Sequence, residues 1–403
     1  MMAKHYRRLR TAVELQRLMQ WHYASAARLR LGKPLAWVTS GAPIEILRTM
    51  NISAVYPENY GALCGARQSA VSLCQMAESG GYSLDLCSYA KTSLGSLAAG
   101  AHAPLGGMPR PDLLVACNNI CGTVIKWYEA VALHYQVPLF VLDTPFLYDE
   151  PQLELHRYVA AQLDGLVRFI QDTTGHRLNL ARLRETVRIS NQAVALWSDI
   201  RALCKSRPSP LNAPDLFVNM APIVVLRGRR SAVWFYQRLK AEVEERVRAG
   251  VSAVGEERHR LLWDNIAIWH HLYPFFNAFA SYGACFVTDT YTAAWSEMID
   301  EADPLQGLAQ TYAGVFLNRN LEYRAERMVR QIVDYGADAF VMHCNRSCKP
   351  YSLGQYALRR LVAERAGVPG LVVESDMCDS RSYSEGAVQT RIQAFMESLE
   401  GRA

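Results

Sequence analysis

The sequence predicts an α/β protein made of two parallel-sheet units related by a pseudo-repeat, with helical segments ahead of them and between them. Three observations carry that prediction. Short apolar runs of strand length alternate with helical patterns, the mark of βαβ units rather than hairpins. The runs fall into two sets of four. Their third and fourth members also share an order: apolar run, cysteine, Asn, second cysteine, helix, then a strand opened by Val-Pro.

Taken in chain order, residues 4–31 read as a helix, with Tyr6, Val13, Leu15, Leu18 and Trp21 apolar among Arg7, Arg8, Arg10 and Arg17. A helix packed on the following unit is favoured over a basic docking helix. LAWVTS (35–40) is the first strand and leads into Ser-Gly-Ala-Pro and a helix, Pro43 suiting the first helical turn. SAVYPE (53–58) is the second strand, followed by a helix over 62–79 and a break at Gly80–Gly81. DLLVACNNICGTVIKWYE (112–129) supplies the third strand and a helix through Ile125, Tyr128, Glu129 and Leu133; VPLFVLDTP (137–145) is the fourth strand. These define a first unit over 35–150. A helical connection over 151–252 follows, rich in Leu, Ala, Arg and Gln, with PSPLNAP (208–214) as its best linker. The second unit, 253–403, repeats the pattern with HRLLWDN (259–265), ACFVTDT (284–290), the run 339–344 and VPGLVVESD (368–376). A helix is expected over 353–365, with Leu353, Tyr356, Ala357 and Leu361 on one side. Such units are Rossmann- or flavodoxin-like, and open sheets of this kind bind ligands beyond the carboxyl ends of their strands.

Composition narrows the function. Half of the 403 residues are hydrophobic and a fifth charged, as in an ordinary globular chain with ample core. A net charge of +5 suits a small polyanionic ligand and argues no nucleic-acid partner. No apolar run is long enough to span a bilayer and no signal-peptide pattern is present, so no membrane partner is expected. Ten cysteines without a secretory segment point to a reducing cytoplasm and to metal or redox use.

Three cysteines stand out. Cys348 falls where a strand runs into a helix, and Cys121 holds the matching place in the first unit. Amide N–H groups and the helix dipole favour a thiolate at such a position, the form that binds metal. Cys87, in DLCSYAKTSLG, has no counterpart in the second unit. Compact paired-cysteine zinc spacings are missing; an iron–sulfur cluster on three thiolates would leave one iron open. Cys64, Cys74, Cys204 and Cys285 read as structural, and any single cysteine can also be a small buried residue. Ser40 is either a helix cap or a donor at the carboxyl end of the sheet, and Glu58 either a surface cap or a general base.

The motifs VYPENYGAL, DLCSYAKTSLG, ACNNICGTVIKWYE, NRSCKPYSLGQ and DSRSYSEGAVQTRIQAFME are similar to those of the 2-hydroxyacyl-CoA dehydratase and benzoyl-CoA reductase superfamily, over about 35–399. The resemblance implies one of two homologous subunits, each holding a [4Fe–4S] cluster through three cysteines, here Cys87, Cys121 and Cys348. Cys117 and Cys344, four residues earlier, are not the usual ligands. The resemblance also implies loss of water from a 2-hydroxyacyl-CoA through a ketyl radical made by one-electron addition to the thioester. Ser40 would then hydrogen-bond the substrate oxygen, and Glu58 would handle a proton or polarise the hydroxyl. The sequence holds no GxxxxGK[ST] loop and no GxGxxG. The electron is therefore expected from a separate ATP-dependent iron–sulfur activator. Two other readings stay open: a subunit of a benzoyl-CoA-type ring reductase, and a cluster-bearing electron-transfer partner without its own substrate.

Overall fold

A computed structural model describes residues 8–28, 33–149 and 153–401 of the chain. Two four-stranded sheets organise it, each parallel throughout. The first contains β1 (Leu35–Val38), β2 (Ser53–Val55), β3 (Leu113–Cys117) and β4 (Leu139–Leu142) in the order β2-β1-β3-β4. The second contains β5 (His259–Asp264), β6 (Ala284–Asp289), β7 (Ala339–Asn345) and β8 (Gly370–Ser375) in the order β6-β5-β7-β8. All eight strands therefore lie where the sequence places them, and the pseudo-repeat extends to strand order. Helices cover both faces of a parallel sheet, so its central strands read as unbroken apolar runs. β1, β3 and β5 are buried along their whole length. Trp37 and Trp263, one at the centre of each sheet, are fully buried.

In each sheet the chain moves one way from its first strand and the other way from its third. That opens a crevice at the carboxyl ends of β1 and β3, and another beyond β5 and β7. Ser40 follows β1 and Cys121 follows β3, while Asn265 follows β5 and Cys348 follows β7. Asn265 adopts φ +93°. Its amide donates to the His343 carbonyl (2.6 Å) and its side-chain oxygen accepts from Ile266 N–H (2.6 Å), which holds the turn out of β5 open.

Four local readings change. The helix expected over 62–79 is two, Pro57–Ala66 and Ala70–Ser79, separated where Gln68 takes φ +58°. The helix near the C-terminal cysteine is also two, Lys349–Ser352 and Gln355–Ala366, with Gly354 at φ +76° between them. That break resets the helical phase: Gln355, Leu358 and Val362 are buried, while Leu353 and Tyr356 are 71% and 60% exposed. PSPLNAP packs rather than spans solvent. Ser209, Leu211 and Asn212 are buried, and Asn212 Oδ1 accepts from Phe286 N–H on edge strand β6 (2.9 Å). The N-terminal helix runs Ala12–Arg28; it buries Leu15 and His22 against the first unit and leaves Val13 and Trp21 exposed. The rest of its expected span includes Tyr6, Arg7 and residues 29–31, which lie outside the described residues. Among the described residues no helix is long and apolar enough to cross a membrane.

Candidate functional site

Ser40, Glu58, Cys87, Cys121 and Cys348 all line one cavity of about 170 Å³. Each reaches it from a turn between a buried strand or helix and the start of a helix. Cys87 caps the helix Ser88–Ala99, and Cys348 caps Lys349–Ser352. Cys121 lies two residues before the helix Thr123–Tyr135, and Thr123 N–H donates to its Sγ (3.3 Å). Three helix N-termini, with their free amides and positive dipole ends, thus converge on three thiols.

Burial dominates the ionisation of Cys87 and Cys348. It raises Cys87 well above the usual thiol range, and the neighbouring Cys348 raises it further. Cys348 is pushed up to about 12, by burial first and then by Cys121. Cys87 is thus raised by both neighbouring thiols and Cys348 by one of them, which places the three within electrostatic reach of one another. Among the described residues no three His, Cys, Asp or Glu side chains stand close enough to hold a single metal ion.

Other cysteines are accounted for elsewhere. Cys117 is fully buried in β3, Cys204 and Cys285 are fully buried, and Cys74 packs under the helix Ser88–Ala99. Cys344 is half-buried at the end of β7. Cys378, which the sequence reading passed over, is buried with its thiol donating to the Gly61 carbonyl (3.1 Å).

Glu58 occupies the first turn of the helix Pro57–Ala66, only 8% exposed, so it is not a surface cap. Its Oε1 accepts from Ser40 N–H (2.9 Å) and Ser40 Oγ (3.3 Å). Oε2 has no hydrogen-bond partner among the described residues. Burial raises the carboxyl from 4.5 to about 7, against the opposing pull of the Ser40 hydrogen bonds. Gly41 is required beside Ser40, since a Cβ there would lie 2.3 Å from Asn119 Oδ1. Asn119 in turn donates to the carbonyls of Gly41 (3.0 Å) and Tyr312 (2.7 Å), binding the first turn of the cavity to its far wall.

A hydrogen-bonded clasp joins the two halves beside the cysteines. Ser88 N–H donates to Ser347 Oγ (3.1 Å), and the Ser347 hydroxyl donates to Asp376 Oδ2. Asp376 Oδ1 accepts from Cys378 N–H and Asp379 N–H, both at 2.8 Å. Next to it a nearly buried Lys91 ammonium meets Glu78 (2.9 Å), Asp379 (3.4 Å) and the Leu84 carbonyl (2.8 Å). Sequence reasoning missed the clasp and the aromatic walls Tyr89, Trp127 and Tyr291. One signal was available: Asp376 follows β8 in VESD as Asp143 follows β4 in VLDTP.

The model of the family described as "2-hydroxyglutaryl-CoA dehydratase, D-component" matches residues 39–399. The chain belongs to this family. It is 34% identical to the (R)-2-hydroxyisocaproyl-CoA dehydratase alpha subunit of Clostridioides difficile, across 97% of this chain and 96% of that one. Lactoyl-CoA dehydratase subunit alpha of Anaerotignum propionicum is 31% identical, over 92% of this chain and 91% of its own. A benzoyl-CoA reductase subunit of Thauera aromatica is 28% identical, over 88% of this chain and 86% of its own. The family membership agrees with the resemblance read from the motifs.

Proposed function

We propose that the chain is the iron–sulfur subunit of a lyase that removes water from a 2-hydroxyacyl-CoA. The observation that carries this is the single cavity shared by a Ser40–Glu58 pair and three thiols at helix N-termini. The donor set fits a [4Fe–4S] cluster better than a lone ion. It offers three soft ligands on separate elements, with no fourth cysteine in the lining among the described residues, and helix ends suited to an anionic group. Cys87, Cys121 and Cys348 would hold it. When bound, such a cluster supplies one electron and an open Lewis-acidic iron to the thioester carbonyl.

The remaining work falls to the chain. Helix-terminal amides offset the negative charge gathered in the cavity. Most of the wall surface is apolar, so electrostatic contacts against it act at a lower dielectric than in water. Ser40 presents Oγ–H at the carboxyl end of β1, within reach of a substrate oxygen if it exchanges Glu58 for that acceptor. Glu58, with a carboxyl near neutrality, is protonated or ionised at comparable cost. Protonated, Oε2 can donate to the departing hydroxyl; ionised, it can accept the β-proton. A homologous second subunit and a separate ATP-dependent activator complete the assembly in this reading, since this chain has no phosphate-binding loop of its own. The assembly is cytoplasmic in the same reading.

The test is anaerobic iron and sulfide analysis of the assembled complex, followed by turnover of a 2-hydroxyacyl-CoA with activator and ATP. Enoyl-CoA product with iron bound to this chain supports the reading. Net two-electron reduction of an aryl-CoA, or cluster iron without any thioester turnover, would replace it by the ring-reductase or electron-transfer alternative.

A further inference from the structure

The next step rests on the thioester reading above and concerns the part of the substrate beyond the reacting carbons. The cavity that Glu58 lines has Tyr89, Val124, Trp127, Ile266, Tyr291 and Met377 among its walls. Val124, Trp127 and Met377 are each less than 5% exposed, so their apolar surfaces are fixed by packing on the sheet and not free to swing aside.

The cations decide the rest. Arg227 and Arg327 are the cationic side chains that line the cavity among the described residues. Arg227 is buried and already committed. Its Nε lies 3.0 Å from Glu45 Oε1, its Nη2 donates to the Tyr312 hydroxyl, and that hydroxyl donates to Glu45 Oε2 (2.8 Å). Ser190 Oγ completes the Glu45 carboxylate at 2.9 Å. The Arg227 guanidinium also lies over Tyr312 and Trp295, at 5.2 and 5.5 Å from their ring centres. Arg327 belongs to the mouth, where its Nη2 sits 3.0 Å from Glu297 Oε1 and both side chains are solvated. Arg324, outside the lining and stacked on Phe316 and Tyr351, donates to the Pro350 carbonyl (3.0 Å) and has the buried Asp264 as its counter-charge, while its Nε and Nη2 make no hydrogen bond among the described residues.

Each lining cation therefore carries its own carboxylate, and what is left over is Glu58. A negatively charged acyl tail brought into this space would find, among the described residues, no lining cation without a carboxylate already beside it, and an ionised Glu58 would repel it. Burying a charge without a partner is among the costliest things a pocket can do. From this we infer that the acyl tail of the substrate is uncharged and apolar, aliphatic or aromatic, and that dicarboxylic acyl groups are rejected. Rejection comes from missing charge in the wall, not from a steric block.

The experiment uses thioesters that lack the 2-hydroxyl and so bind without turnover. Binding of 4-methylpentanoyl-CoA, 3-phenylpropanoyl-CoA and glutaryl-CoA to the assembled complex is measured by calorimetry. Glutaryl-CoA should bind more weakly than one or both of the apolar esters by more than about tenfold. Which apolar ester binds tighter distinguishes an aliphatic from an aromatic tail. Glutaryl-CoA binding as tightly as the better apolar ester overturns the inference, and so does the absence of any thioester binding. Glu45→Gln provides a second arm, because it frees the charge of Arg227: glutaryl-CoA should gain at least severalfold while the apolar esters stay within twofold. An unchanged ratio in that folded variant overturns the charge argument; if the variant does not fold, the wild-type comparison decides alone. An apolar preference in binding with no dehydration of the corresponding 2-hydroxyacyl-CoA sinks the dehydratase reading and leaves this one standing.

Discussion

Glu58→Gln should make the protein more stable and less active, and the size of the first effect follows from the site. Moving a carboxyl from 4.5 to about 7 by burial corresponds to roughly 3 kcal/mol, at 1.36 kcal/mol per pH unit. The sign runs against ionisation. Below about pH 4.5 the carboxyl is protonated in folded and unfolded chains alike, and no penalty exists. Between 4.5 and 7 the unfolded chain ionises first, so stability falls as pH rises; above about 7 the penalty is complete. The glutamine side chain cannot ionise, and its oxygen can keep the hydrogen bond from Ser40 N–H. Its amide N–H would occupy the Oε2 position, which has no partner, and that takes back about 1 kcal/mol or more. The net gain at pH 8 is therefore about 1–2 kcal/mol, shrinking toward a small loss at pH 5. Urea unfolding of the cluster-free chain at both pH values measures it, and infrared titration of the buried carboxyl band, absent in the variant, checks its cause. A stability difference identical at pH 5 and pH 8 would refute the reasoning. In the activated complex the same variant should lose about 100- to 10,000-fold in turnover while retaining iron, and a loss under threefold would remove Glu58 from the chemistry.

Further outcomes test the rest of the site. Cys87→Ala, Cys121→Ala and Cys348→Ala should each abolish the visible absorbance and iron content, whereas Cys64→Ala and Cys204→Ala keep both; full iron in Cys348→Ala would rule out the ligand set. Air should destroy activity while circular dichroism persists, because a cluster with one open iron is exposed to oxidation; activity surviving prolonged aeration would point to zinc. Ser347→Ala strips Asp376 Oδ2 of its donor and Ser88 N–H of its acceptor, so unfolding should become easier by about 1–3 kcal/mol. Ser347→Thr should recover most of it, and an unchanged midpoint in the alanine variant would show that the clasp contributes nothing.

Periodicity and breakers revealed the strands because the central parallel strands are buried on both faces and so betray themselves as apolar runs. The cysteines were legible for a related reason: a polar residue ending such a run must lie at the carboxyl edge, where Cys121 and Cys348 are found. The phase of the helix Gln355–Ala366 was not legible. Gly354 interrupts the pattern, and Gln355 is buried for its hydrogen bond to the His343 carbonyl (3.0 Å), not for hydrophobicity. PSPLNAP has the composition of a solvated connector, yet Asn212 serves edge strand β6 and the capping box with Asp215. The pairs Arg227 with Glu45 and Ser88 with Ser347 join residues 182 and 259 positions apart (227 − 45 and 347 − 88). No local pattern encodes such partners, so the charge balance of the cavity emerges only once the chain is folded.

That last separation has a consequence for how the protein is made. Ser88 emerges early in synthesis, but its partner Ser347 and the carboxylate behind it, Asp376, come in the final sixth of the chain. The first unit can pair its strands as it appears, since β1 to β4 lie within the first 142 residues. On the ligand set proposed above, loading of the cavity would be tied to completion of translation: a chain that stops short of Cys348 would carry two of the three proposed ligands. Metal uptake by this subunit would act as a check on full-length product, and stalled or truncated chains would remain both apo and exposed to oxidation at Cys87 and Cys121.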